Sequence, residues 1–68
     1  MFEKVKYIPI EELNLPGRAY NYLKRAHINF VGELLSHSDY ELLSIPNIGD
    51  RSLDQVKKQL LAYLLIHG

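Results

Sequence analysis

The sequence predicts an all-α domain, a compact bundle of four to five short helices, and three observations carry that expectation. Leu53, Val56, Leu60, Leu61 and Leu64 recur at i, i+3, i+7, i+8 and i+11, one apolar face of a helix of about Arg51 to Leu65. Pro9, Pro16-Gly17 and Pro46 cut the preceding chain into pieces of helical-turn length. No run supports a β-hairpin. With 68 residues, 47% of them hydrophobic and 24% charged, the chain suits one small folded domain near the lower size limit for a self-sufficient core. The per-residue rule puts its stability at roughly 3–10 kcal/mol.

Residues 1–8 alternate loosely through Phe2, Val5, Tyr7 and Ile8, which reads as an extended amino-terminal arm lying on a domain of residues 9–68. Pro9 followed by Ile10-Glu11-Glu12-Leu13 suits a short helical turn, with proline at its start and acids in its first positions. A helix then starts at Leu15-Pro16-Gly17 and runs to about Ala26. Ala19, Leu23 and Ala26 form its apolar stripe, with Tyr20 at the edge. Arg18, Asn21, Tyr22 and Arg25 fall at i, i+3, i+4 and i+7, a second and polar stripe. Such a stripe is either a solvated face or, with two arginines and no acid, a contact surface. After the connection His27-Ile28-Asn29, Asn29 serves as N-cap of a helix from Phe30 to about Ser36 that buries Val31, Leu34 and Leu35. Ser38-Asp39-Tyr40-Glu41 is a capping box opening a short helix through Ser44 that buries Leu42.

Everything converges on Ile45-Pro46-Asn47-Ile48-Gly49-Asp50-Arg51-Ser52-Leu53. Pro46 stops the incoming helix. Gly49 is free to take positive φ and reverse the chain, and Asp50 stands where an N-cap belongs. The stretch has two readings. It is a capped turn serving the fold, or the open amides of the helix start, with Arg51 and Ser52 beside them, are a phosphate seat.

Charge is polarised although the net charge is zero. Residues 16–26 carry Arg18, Lys24 and Arg25 with no acid, whereas residues 27–46 carry Glu33, Asp39 and Glu41 with no lysine or arginine. Cysteine is absent, which excludes a disulfide framework and a thiolate metal site. His27, His37 and His67 lack the spacing of a metal site. No phosphate loop, nucleophile elbow or acid–base pair is present, so no enzyme, cofactor or small-molecule substrate is expected. No apolar run reaches transmembrane length, and a cytoplasmic location is expected.

These residues resemble a known family. From Ile8 to about Leu65 the sequence is similar to the carboxy-terminal domain of the bacterial RNA polymerase alpha subunit. The resemblance is carried by Ile10 to Leu13, Arg18 to Ala26, Ile28 to Leu35, Glu41 to Leu43 and Asn47 to Leu53. It implies a fold related to helix-hairpin-helix domains. It also implies binding to the minor groove of A·T-rich double-stranded promoter DNA, a nucleoid-associated location, and docking to RNA polymerase, sigma factor and activators. Position by position, the resemblance implies a DNA-binding set of Arg18, Asn21, Gly49, Arg51 and Ser52, and Tyr22, which replaces a usually small residue next to the groove, is expected at the same contact. It implies a sigma-facing Glu12 and an activator-facing surface at Ser38, Asp39, Tyr40 and Leu43. Asp50 departs from the family's usual basic residue and places a negative charge close to the phosphates. That departure leaves a second function open: a protein-interaction module on the same fold, with DNA binding weakened or lost.

Overall fold

The computed structural model describes residues 2–67, with side chains from residue 4 onward. The elements are α1 (Phe2–Val5), a 3-10 turn (Ile10–Leu13), α2 (Gly17–Arg25), α3 (Val31–Leu35), α4 (Asp39–Leu43) and α5 (Asp50–His67). Among the described residues there is no strand, only one isolated antiparallel bridge between Pro9 and Phe30. The fold is all-α, as the punctuation and periodicity predict.

Local chemistry explains most boundaries. Pro16 precedes α2 with its φ fixed near the helical value, and Tyr20 N–H donates to the Pro16 carbonyl at 2.9 Å. The far end of α2 closes in a Schellman motif: His27 N–H donates to Lys24 O and Ile28 N–H to Leu23 O. His27 holds the left-handed position of that motif, at φ 64°. Its place in the sequence is therefore explained by backbone geometry, without chemistry. At α4 the capping box forms as expected: Glu41 N–H donates to Ser38 Oγ at 3.1 Å, and Ser38 N–H donates to the Glu41 carboxylate at 2.8 Å.

The core is a continuous cluster of Val5, Ile10, Leu13, Ala19, Leu23, Ile28, Val31, Leu34, Leu42, Ile48, Leu53 and Val56, drawn from every element. α5 packs against α2, α4 and the 3-10 turn and thus fixes their mutual positions. At 1.5 Å per residue its 18 residues span about 27 Å, close to the 29 Å long axis of a body only 19 × 18 Å across. Tyr63 and Leu64 still pack against the core near its end, while Leu65 and Ile66 are exposed.

The structure departs from the sequence expectations at several points. The amino-terminal segment is helical at Phe2–Val5 rather than extended, and Val5 is 1% exposed, inside the core. What holds it is the absence of a side chain at Gly32. A Cβ there would stand 2.6 Å from the Lys6 carbonyl oxygen, to which Gly32 N–H donates. The Phe2 side chain and Gly68 lie outside the described residues. α3 starts one residue late, with Phe30 rather than Asn29 as its cap. The Glu33 carboxylate causes the shift by accepting from both Asn29 N–H and Phe30 N–H, at 2.8 and 3.1 Å. Asp50 is the first residue of α5 rather than its N-cap, because Leu53 N–H donates to the Gly49 carbonyl. Finally, Leu35 and Leu61 are exposed rather than buried, while Leu60 and Leu64 are only partly covered.

Candidate functional site

The turn into α5 has a different conformational hinge from the expected one. Ile48 N–H donates to the Ile45 carbonyl at 3.1 Å, with Pro46 and a left-handed Asn47 (φ 73°) between them. Proline followed by a residue with positive φ is the pattern of a type II turn. Asn47, not Gly49, is thus the residue that reverses the backbone, since no described glycine has positive φ. The Pro-Asn pair was the available signal, because asparagine tolerates the left-handed region better than most residues. Gly49 is explained by neither strain nor crowding: a Cβ built on it meets nothing within 4 Å. It leaves an open, exposed patch of backbone at the start of α5.

Ile48, Leu53 and Val56 anchor this turn to the core, so the residues between them are held outward. Arg51 is exposed and Ser52 half-buried on the first turn of α5. Arg18 and Asn21 are exposed on α2 and Tyr22 is half-buried. The structure brings the two regions together. Tyr22 and Arg25 of α2 line a cleft of about 140 Å³ with Ala26, Ile45, Pro46 and Asn47. Near the other end of α2, Pro16 borders a shallow groove with Gln55 and Gln59 of α5. Gln55 lies four residues, one helical turn, beyond Arg51. The polar stripe of α2, the turn and the start of α5 are therefore neighbours.

Three of the five lysines have a carboxylate partner. Lys24 lies 3.4 Å from Glu11, Lys57 is 2.7 Å from Asp39, and Lys58 is 3.1 Å from Asp54. Arg18, Arg25 and Arg51 have no carboxylate partner among the described residues. All the arginines of the sequence thus remain available on the α2–turn–α5 surface. A guanidinium is less strongly hydrated than an ammonium and offers a planar fork of donors suited to phosphate. Chemically, this surface can hold anions.

Glu11 is tied down as well. Tyr20 Oη donates to its carboxylate at 2.7 Å, and this bond, then its own backbone amide and Lys24, hold its pKa below the usual carboxylate range. The same bond raises the Tyr20 phenol. Glu41 is likewise lowered, first by the Ser38 backbone amide and then by the Ser38 hydroxyl.

The residues expected to face proteins lie apart from this surface, in two places. Glu12 is exposed on the 3-10 turn and borders a groove with Asn14, Tyr63 and His67. Ser38, Asp39, Tyr40 and Leu43 lie together on α4. Of these, Ser38 is engaged in the capping box and Asp39 in its pair with Lys57. Tyr40 stands 82% exposed and Leu43 38%.

Fold and surface together define a small all-α module whose arginine-bearing helix stands beside a proline turn and the open start of a long helix. Comparison with known proteins gives the family. The family model for the C-terminal domain of the bacterial RNA polymerase alpha subunit matches residues 2–62, and the protein belongs to that family. The DNA-directed RNA polymerase subunit alpha of Bifidobacterium longum is 53% identical over 53 residues, covering 78% of this sequence and 16% of the relative. The subunits of the same name from Thermosynechococcus vestitus and Symbiobacterium thermophilum are 53% and 47% identical over 57 and 60 residues. Those matches cover 84% and 88% of this sequence but 18% and 19% of the relatives. The chain thus spans less than a fifth of the length of these relatives. Among the described residues, no helix is long and apolar enough to cross a membrane.

Proposed function

We propose that the protein is a non-catalytic DNA-binding module of bacterial RNA polymerase that works on the chromosome in the cytoplasm. It contacts the minor groove of A·T-rich upstream promoter DNA, and its domain body is residues 9–68 together with the α1 segment whose Val5 completes the core. In this reading Arg18 enters the groove, where A·T-rich sequence narrows the walls and concentrates negative potential. Asn21 and Tyr22 lie beside it. Arg51, Ser52 and the open backbone at Gly49 hold the phosphates of the groove wall. Glu12 faces sigma factor, and Ser38, Asp39, Tyr40 and Leu43 face activators. The observation that carries the reading is the set of arginines on the α2–turn–α5 surface: Arg18, Arg25 and Arg51 have no carboxylate partner among the described residues, while Lys24, Lys57 and Lys58 are paired.

The test is fluorescence anisotropy with A·T-rich and G·C-rich duplexes at several salt concentrations. Minor-groove edges distinguish A·T from G·C but little else. Arg18→Ala should therefore remove most of the A·T preference, with stability within about 0.5 kcal/mol of the parent. Arg51→Ala should weaken both duplexes alike and reduce the slope of log K against log salt by about one. A parent protein without A·T preference at low salt overturns the reading. In that case the exposure of Tyr40 beside Leu43 favours the second function, a protein-docking module.

A further inference from the structure

Arg25 is absent from the DNA-contact set that the family resemblance implies, yet it has three properties of a contact. It is exposed, it has no carboxylate partner among the described residues, and it lines the cleft between α2 and the Pro46-Asn47 turn. Its neighbour Lys24 has none of that freedom, being drawn to Glu11. Arg25 lies seven residues from Arg18, two helical turns, so both point from the same face of α2 about 10.5 Å apart along its axis. That distance exceeds the minor-groove width of about 6 Å. With Arg18 in the groove, Arg25 stands beyond it, over the flanking sugar–phosphate backbone.

We infer that Arg25 is a second anchor for the DNA backbone, holding one phosphate whose deoxyribose rests in the cleft. The inference builds on the proposed minor-groove function. The cleft suits a sugar: Ala26, Ile45 and Pro46 supply an apolar floor, and Tyr22 and Asn47 supply polar edges. A sugar ring has the same division, with C–H faces and oxygen edges. The contact carries no base information, so Arg25 sets how much backbone is gripped, while Arg18 sets which sequence is preferred. Arg25 also lies in the last turn of α2, where a cation stabilises the helix dipole, and the test must separate the two roles.

The measurement uses the protein with Arg25→Ala, Arg25→Lys and Arg18→Ala, and duplexes carrying one neutral methylphosphonate at successive positions flanking an A·T tract. Arg25→Ala should lower the salt slope by about 0.9 on A·T and G·C duplexes alike. Its deficit relative to the parent should then shrink about 3.5-fold between about 50 and 200 mM salt. The A·T preference should stay at the parental level, and Arg25→Lys should restore the slope. One methylphosphonate position should weaken the parent but leave Arg25→Ala unaffected, which identifies the phosphate. An altered melting temperature with parental salt slope means that Arg25 serves only the helix dipole, and overturns the inference. So does a parental slope in Arg25→Ala while Arg18→Ala loses its A·T preference, a result that leaves the minor-groove function standing. A parent protein that binds neither duplex overturns both.

Discussion

Gly49→Ala separates what the fold requires at the start of α5 from what a ligand requires there. Gly49 does not have positive φ, and a Cβ would meet nothing within 4 Å, so the methyl group is accommodated without strain. Two small effects on stability remain, and they have opposite signs. Alanine restricts the unfolded chain and stabilises by about 0.4–1 kcal/mol. Gly49 also occupies the N-cap position, where alanine is poorer than glycine by about 0.5–1 kcal/mol. The net change should lie within about 0.5 kcal/mol, which for a domain of this size moves the melting temperature by at most about 2–4 °C. DNA affinity should respond far more strongly. A phosphate that approaches the exposed amides closely has no room for a methyl group, and displacing it should cost at least about tenfold in Kd, roughly 1.4 kcal/mol. The assay pairs a thermal melt followed by circular dichroism with anisotropy on an A·T-rich duplex. Parental affinity with a parental melt refutes the close approach of backbone to phosphate at Gly49. A melt lowered by several kcal/mol refutes the conformational assignment.

Other perturbations test the fold and its charges. Leu23→Ala removes a fully buried side chain and should cost about 2–5 kcal/mol, a large part of the total stability, visible in chemical denaturation. His27→Gly relieves a left-handed non-glycine residue and should stabilise by about 0.5–1 kcal/mol, measured as an upward shift in the denaturation midpoint. Lowered pKa values at Glu11 and Glu41 stabilise the fold above the ordinary carboxylate pKa, and that contribution is lost as pH falls through their lower folded-state values. Melting temperature should therefore drop below about pH 4, and Glu11→Gln combined with Glu41→Gln should flatten the drop. Asp50→Asn should tighten DNA binding by removing a negative charge beside Arg51, while costing at most about 1 kcal/mol of helix-dipole stabilisation, read from the same two assays.

The elements that could be read from sequence are those written in local chemistry. Pro16 marks α2, the Ser38–Glu41 box marks α4, and the repeat from Leu53 to Leu64 marks α5, because each signal lies within the segment it defines. The departures depend on partners distant in the sequence. Four residues are too few for an autonomous helix, and α1 exists only because Val5 enters the core and Lys6 settles against Gly32. Leu61 lies at the edge of the apolar face of α5, and the core reaches Leu60 before it and Leu64 after it but not Leu61 itself, a limit that periodicity does not reveal. At the site, residue type identified Arg18 and Arg51 as cations but not as unpaired ones. Lys24 and Arg25 are adjacent in sequence and equal in charge, and only the position of Glu11 separates them.

That separation also explains how a protein of zero net charge presents a surface of unpaired arginines, as the proposed function requires. Screening at physiological salt limits the reach of a charge to about 8 Å, so a bound anion responds to neighbouring groups rather than to the total. Of the acids, Glu11, Asp39 and Asp54 each neutralise a lysine, Glu33 and Glu41 serve helix caps, and Glu12 is exposed on the 3-10 turn. Asp50 differs from them in standing at the arginine surface itself. Its carboxylate favours the start of α5 through the helix dipole and opposes phosphate at the same place. On the proposed function, three arginines set against one acid make a weak site for DNA. In the relatives the matching segment is under a fifth of a much longer polypeptide, and a tethered module of modest affinity gains from high effective concentration. Weak intrinsic binding with a strong A·T preference is therefore the behaviour that this charge arrangement supports, and tight binding by the isolated domain is not.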